Sequence, residues 1–282
     1  MVTRHSSKKR PADASTTASF RSVRTKLQRR PVGFTLVELA VVLAIVGLLL
    51  GSLMFTLSAQ TEVRNFSGTQ RRLEEARDLV LAYAVAHGRL PCPATCTNPP
   101  FCSTGSNGAE SIATAAATGT GGTCTVYYNG YLPAATIGFS PTDGSGLAID
   151  GWGNRIRYAV SQTGAPHFTS NAAIQNNWSS TSPADIDICK HLSAANAVTC
   201  ATAANRVVSN GSVVAVIWSQ GQNFTTAGAA SIDESINNDT FPAFVSRTPS
   251  PPGSGEGEYD DQMVWVPVGL LYGRLIASGR LP

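Results

Sequence analysis

The sequence predicts an α+β fold: a long N-terminal helix, oily in its first half and amphipathic in its second, packed on a small antiparallel β-sheet head. Three observations predict it. Residues 34–57 carry one charged side chain, Glu38. Residues 61–87 place Val63, Phe66, Leu73, Ala76, Leu79, Val80, Tyr83 and Ala84 near the 3-and-4 spacing of one buried helix face, with polar residues between them. Further on, residues 155–160, 212–218 and 263–266 are rich in β-branched and aromatic side chains and are bounded by Gly or Pro.

Taken in order, residues 1–33 form a basic leader. They hold nine Lys/Arg and one acid, Asp13, with almost no large apolar side chains, so they are expected to be disordered and removed. Residues 34–59 follow as an apolar run. Roughly 20 such residues at 1.5 Å each span a hydrocarbon core about 30 Å thick, so this half of the helix is expected to cross a membrane. The positive charges in front of it place the leader in the cytoplasm and everything downstream on the exported side. Residues 60–88 form the amphipathic half, with Gly88 as the residue after the helix and Pro91 as a stop. Residues 89–282 are then an exported globular head with long loops and disulfides, in which residues 103–123 read as a flexible surface loop. Residues 270–277 have helical spacing, and Gly279-Arg280-Leu281-Pro282 repeats the Gly88-Arg89-Leu90-Pro91 ending. Glycine caps and proline stops account for that echo without a repeat.

Charge narrows the partners. The chain is +3 overall, but residues 34–282 hold 12 Lys/Arg against 17 Asp/Glu. Apart from Arg71 and Arg72, beside Glu74 and Glu75, they lack a basic cluster able to release counterions from phosphates, so nucleic acid is not an expected partner. All six cysteines, Cys92, Cys96, Cys102, Cys124, Cys189 and Cys200, follow the apolar run. An even count on the exported side predicts disulfides in an oxidising compartment. The spacing lacks the paired C-x2-C knuckles of a structural zinc site. Six cysteines allow 15 pairings, so the connectivity stays open; Cys189 with Cys200 would close a short loop, the other four would pair among themselves, and Cys102 and Cys124 bracket residues 103–123, which suits a bridge near the base of that loop.

Glu38 needs a reason, because a carboxylate in an apolar run costs a few kcal/mol unless it is paired or reaches an interface. The helix macrodipole offers part of one. A signal peptide cut after Ala59, or export through the twin arginines Arg29 and Arg30, leaves Glu38 unexplained. Cutting between Gly33 and Phe34 supplies a partner, since the new α-amino group of Phe34 lies about one helical turn from Glu38.

The stretch Gly33-Phe34-Thr35-Leu36-Val37-Glu38 before the apolar run resembles the processing motif of type IV pilins and type II secretion pseudopilins. That resemblance implies cleavage after Gly33 by a prepilin peptidase, methylation of Phe34, and a role for Glu38 in assembly. It also implies a minor pilin or pseudopilin that enters the bacterial inner membrane as a single-pass protein with its head in the periplasm. Such a subunit meets an inner-membrane assembly platform and packs with other subunits into a pilus or secretion filament. The leader, at 33 residues, is longer than is usual in the family.

Within the head, Asp150-Gly151-Trp152-Gly153-Asn154 is similar to a turn of the major pseudopilins, as are Ser219-Gln220-Gly221 and the run Gly257-Glu258-Tyr259-Asp260-Asp261. In those relatives the loop binds calcium, which would make Glu258, Asp260 and Asp261 candidate hard-oxygen ligands. Residues 222–256 interrupt the pattern. No histidine sits in a catalytic motif, so the chain is expected to be a structural component and not an enzyme. The rival reading is a membrane-tethered periplasmic binding or adhesive module that never polymerises.

Overall fold

The computed structural model describes residues 33–96, 107–178, 184–194, 196–224 and 231–282, without the side chains of residues 52–59. The chain divides into two units, Met1–Leu53 and Met54–Pro282, which are taken separately. Helix α1 (Leu36–His87) is assigned across their junction.

In the first unit the helix begins where Thr35 Oγ1 accepts the Glu38 N–H at 3.2 Å, as an N-cap should. Among the described residues no helix is long and apolar enough to cross a membrane. This overturns the expected membrane-spanning half and, with it, the single-pass inner-membrane location. The fold class is corrected accordingly: an α+β unit in which the packed helix is the part of α1 after residue 60, about 28 residues, without the long spanning helix expected at the N-terminus.

In the second unit α1 buries Leu73, Ala76, Val80 and Ala84 completely. The burial starts at Thr69, nearly two turns after Val63, where the periodicity placed its beginning: Val63 is 68% and Phe66 is 40% exposed. The helix ends as expected. Gly88 takes φ +71° and donates its N–H to Ala84 O at 2.7 Å. The last carbonyls, of Val85 and Ala86, are met by the guanidinium of Arg280 from the C-terminus. The two Gly-Arg-Leu-Pro endings thus differ in use, because Arg89 turns inward to a buried pair with Glu110 at 2.6 Å.

The main sheet has the order β3 (Gly130–Tyr131), β4 (Arg157–Val160), β6 (Val213–Ser219), β8 (Gln262–Pro267), antiparallel throughout. Three of these strands are those expected from the sequence. The central strand β6 is buried along its whole length, which explains why its sequence is a continuous apolar run. Its residues Val214 and Ile217 pack with α1, while Val213, Val216 and Trp218 pack on the other side with Ile186, Ile188 and Phe244. Those last residues come from a second, two-stranded sheet, β5 (Asp187–Cys189) with β7 (Ala243–Val245), which is parallel. The head is therefore not the single small antiparallel sheet of the expectation; an extra layer covers the face opposite α1. Helix α5 (Val268–Ala277) follows β8 and inserts Leu271 and Leu275 into the α1 side.

Residues 103–123 are expected as loop from the sequence, yet the described part of them, with Cys124, forms a hairpin of β1 (Ile112–Ala115) and β2 (Gly122–Cys124). Two disulfides are described. Cys189 is joined to Cys200, as the short spacing suggested, and Cys92 is joined to Cys124. The second pairs two of the other four cysteines and sets Cys124 at the base of the loop, with Cys92 as its partner; Cys96 is also disulfide-bonded, and Cys102 lies outside the described residues. The 92 to 124 bridge closes 32 residues, for which loop-closure entropy gives about 3–4 kcal/mol. Replacing both cysteines by serine is expected to lower head stability by about that much in urea unfolding, with Cys189 and Cys200 untouched.

The turn after residue 149 locks the sheet to α1. Gly151 N–H donates to Thr69 Oγ1 at 2.9 Å, and Arg72 donates to the carbonyls of Ile149 and Asp150. A Cβ on Gly151 would stand 2.4 Å from Asn65 O, so only glycine permits this approach. Gly151→Val is expected to cost more than about 2 kcal/mol, read as a lowered urea midpoint; a change below about 0.5 kcal/mol would show that the turn does not hold the helix.

Candidate functional site

Two regions carry the candidate residues. The first is the N-terminal segment. Gly33 precedes α1, and Phe34 is 78% exposed. Glu38 sits in the first turn of α1, where its carboxylate favours the positive end of the macrodipole. It is also the fourth residue of a Thr-x-x-Glu capping sequence, whose Thr35 half is formed. Behind it the large apolar residues are exposed, among them Leu36 at 87%, Leu43 at 63% and Leu48 at 78%. A contiguous apolar surface of this kind marks a contact surface for another molecule.

The second region is acidic and lies in the head. Helix α4 (Ile232–Asn237) starts at Ser231, whose Oγ accepts the Glu234 N–H and so fixes Glu234 on the first turn. The chain before β8 brings Asp260 and Asp261 to it, and one carboxylate oxygen from each of the three lies within 4.8 Å of the others. Asp260 N–H donates to Glu234 Oε1 at 2.9 Å, and Asn237 Nδ2 donates to Asp261 Oδ2 at 2.7 Å. Asp260 Oδ2 accepts the N–H groups of Gln222 and Asn223, just past Gly221. Gly221 is needed there: its φ is +64°, and a Cβ would stand 2.2 Å from the Asp260 carboxylate.

The electrostatics of the trio are unbalanced. Among the described residues no Lys or Arg forms an ion pair with any of the three. Asp260 Oδ1 is buried without a hydrogen-bond partner. Burial pushes the Glu234 carboxyl up to about 7, with Asp260 and Glu258 adding repulsion. Burial likewise raises Asp260, and it raises Asp261 well above the carboxylate range. Two of the candidates expected from sequence, Asp260 and Asp261, thus come together. Glu258 stays outside the trio, and Glu234 takes the third place. It comes from residues 222–256, the segment that interrupts the pattern, and its signal in the sequence was the Ser231-x-x-Glu234 capping pattern ahead of an apolar residue.

The neighbouring turn is a fixed part of this region. Asp150 Oδ1 accepts the N–H groups of Trp152 and Asn154, and Ser219 Oγ donates to Asp150 Oδ2 at 2.5 Å. Asn154 Nδ2 in turn donates to Gly221 O at 2.6 Å. The two motifs are therefore one hydrogen-bonded unit that sets the loop on which the trio depends.

His191 Nδ1 lies 2.9 Å from Asp233 Oδ2, which also accepts from Arg247 Nε at 2.8 Å. This is a buried carboxylate held by the Arg247 guanidinium and an imidazole nitrogen. No family model, curated protein or solved structure matches the chain.

Proposed function

We propose that the chain is a subunit of a type IV pilin-like or secretion-type filament, cut between Gly33 and Phe34 by a prepilin peptidase. The observation that carries this reading is the exposed apolar helical surface of residues 36–50 directly behind Gly33-Phe34-Thr35-Leu36-Val37-Glu38. Covering a large apolar side chain is worth about 1.5–3 kcal/mol, so the same segment of neighbouring copies is a sufficient partner. Cleavage supplies the α-amino group of Phe34 as a counter-charge for Glu38 of a neighbour. The head stays on the outside of the assembly and contributes the variable surface. The reaction is done to this protein, whose own role is structural.

The first test is the mass and N-terminal sequence of the protein recovered from cells that express a prepilin peptidase. A chain starting at Phe34, heavier by one methyl group, is the expected result. A chain starting at Gln60 would remove the proposal.

A second reading concerns the acidic trio: the head takes up calcium there. Three carboxylates with one orphaned oxygen and no cationic partner fit a hard cation that prefers oxygen ligands. Glu234, Asp260 and Asp261 would hold the ion, which would neutralise their mutual repulsion and tie α4 to the start of β8. This is a stabilising role and leaves the assembly proposal independent of it.

A further inference from the structure

The head contains a cavity of about 630 Å³ lined in part by Thr95, Asn129, Tyr131, Asn154, Arg155 and Arg157. That volume suits a ligand of about monosaccharide to disaccharide size. Its chemistry is uneven. Arg155 is paired, through Nε, with Asp143 at 2.7 Å. Arg157 has no carboxylate within ion-pair distance among the described residues. Residues 97–106 and 225–230, which follow the lining residues Cys96 and Phe224 in the chain, contain no Asp or Glu.

Instead the Arg157 guanidinium is held open by neutral acceptors. Nε donates to Gln220 Oε1 at 3.2 Å, one terminal nitrogen to Asn129 Oδ1 at 3.0 Å, and the other to Asn238 Oδ1 at 3.3 Å. These use three of its five N–H groups. Its plane lies over the Tyr131 ring, 4.3 Å from the centroid, and Arg155 approaches the same ring at 5.9 Å. Side chains on and just before β3, just after β6 and at the end of α4 therefore fix the orientation of a cation that no carboxylate among the described residues neutralises. Burial and the neighbouring Arg155 both hold the guanidinium below its ordinary range. A rigid fork with free N–H groups is the geometry that binds a carboxylate through two parallel hydrogen bonds. The asparagine amides around it suit hydroxyl groups.

We propose that this cavity binds a small hydroxylated carboxylate of the sugar-acid type, its carboxylate on Arg157. The claim is independent of the filament reading. It is tested with the purified full-length chain by titration calorimetry with glucuronate, with methyl glucoside as the neutral control and inorganic phosphate as the simple anion. Glucuronate is expected to bind with a Kd of about 1 mM or tighter, and both controls at least tenfold more weakly. Arg157→Gln should weaken glucuronate binding by tenfold or more. Should that variant fail to fold, Asn238→Asp decides the matter, because it keeps the acceptor at Oδ1 and supplies the missing carboxylate from within; it should fold and lose glucuronate by the same factor. No saturable binding up to about 20 mM, equal binding of either control, or unchanged binding in the folded variants would overturn the proposal.

Discussion

Replacing Glu38 by alanine is expected to abolish incorporation into filaments while leaving cleavage after Gly33 intact. The two steps separate because they read different features. In the proposed reading the peptidase would meet the Gly33-Phe34 bond, which lies ahead of α1 and, at Phe34, is exposed. Assembly needs the apolar surface of residues 36–50 to be covered, and within that surface Glu38 is the single charge. Against a neighbouring Phe34 amine the carboxylate is an attractive pair in low dielectric and sensitive to register, and removing one partner of such a buried pair costs about 3–5 kcal/mol. Without it the amine of each neighbour has no partner, and the loss is far larger than the fraction of a kcal/mol that the capping position would account for. Glu38→Gln keeps the hydrogen-bonding shape and removes the charge, so it should fail in the same way. The measurement is the fraction of processed subunit recovered in sheared filaments. Unchanged incorporation of Glu38→Ala would sink the polymer reading and favour a module that works singly.

The parts of this fold that could be read from sequence are those governed by local chemistry. Gly88 and Pro91 ended α1 where backbone geometry requires. The β-branched run at 212–218 became β6, and the short spacing of Cys189 and Cys200 gave a bridge. Long-range partnership was less legible. The continuous apolar character of β6 already meant burial on both faces, yet its second cover, the parallel pair β5 and β7, consists of three-residue strands too short to show a period. Val63 and Phe66 continue the helix pattern but lie beyond the reach of the head, so periodicity alone extended the buried face too far.

The same limit shaped the site. Asp260 and Asp261 were visible as adjacent acids before a strand. Glu234 was not, because only the fold of residues 222–256 brings α4 back across the loop. The apolar N-terminal run illustrates a different limit: hydropathy reports that a surface avoids water and does not report what covers it. The described residues contain no helix suited to cross a membrane, and in the proposed reading the exposed apolar side chains are covered by copies of the same segment.

Without calcium, the head is expected to lose stability as pH rises from 5 to 8, and the loss should vanish when calcium is present. In the folded state the Glu234 carboxyl is raised to about 7, above its unfolded value, so folding favours the protonated acid. Its contribution is fully present below about pH 4.5 and is lost as pH rises through 7; at 1.4 kcal/mol per tenfold change this amounts to about 3 kcal/mol. Asp260 and Asp261, also raised, act in the same direction. His167, which burial holds below its ordinary value, acts oppositely, since its neutral form is favoured above that range. Glu110 and Asp143 are held low by their arginine partners and backbone N–H groups against the opposing effect of burial, and they lose stability only at more acidic pH. Glu234→Gln isolates the trio from these groups, because amide and carboxylate have the same shape. Melting of wild type and Glu234→Gln between pH 5 and 8 in chelator should therefore show two slopes, with the wild type lower by about 5–10 °C at pH 8. Millimolar calcium should raise the wild type at pH 8, leave it nearly unchanged at pH 5 where Glu234 already holds its proton, and leave Glu234→Gln little affected at either. Parallel slopes for the two proteins in chelator would show that the carboxylates ionise without strain. A calcium response retained in Glu234→Gln would place the ion elsewhere.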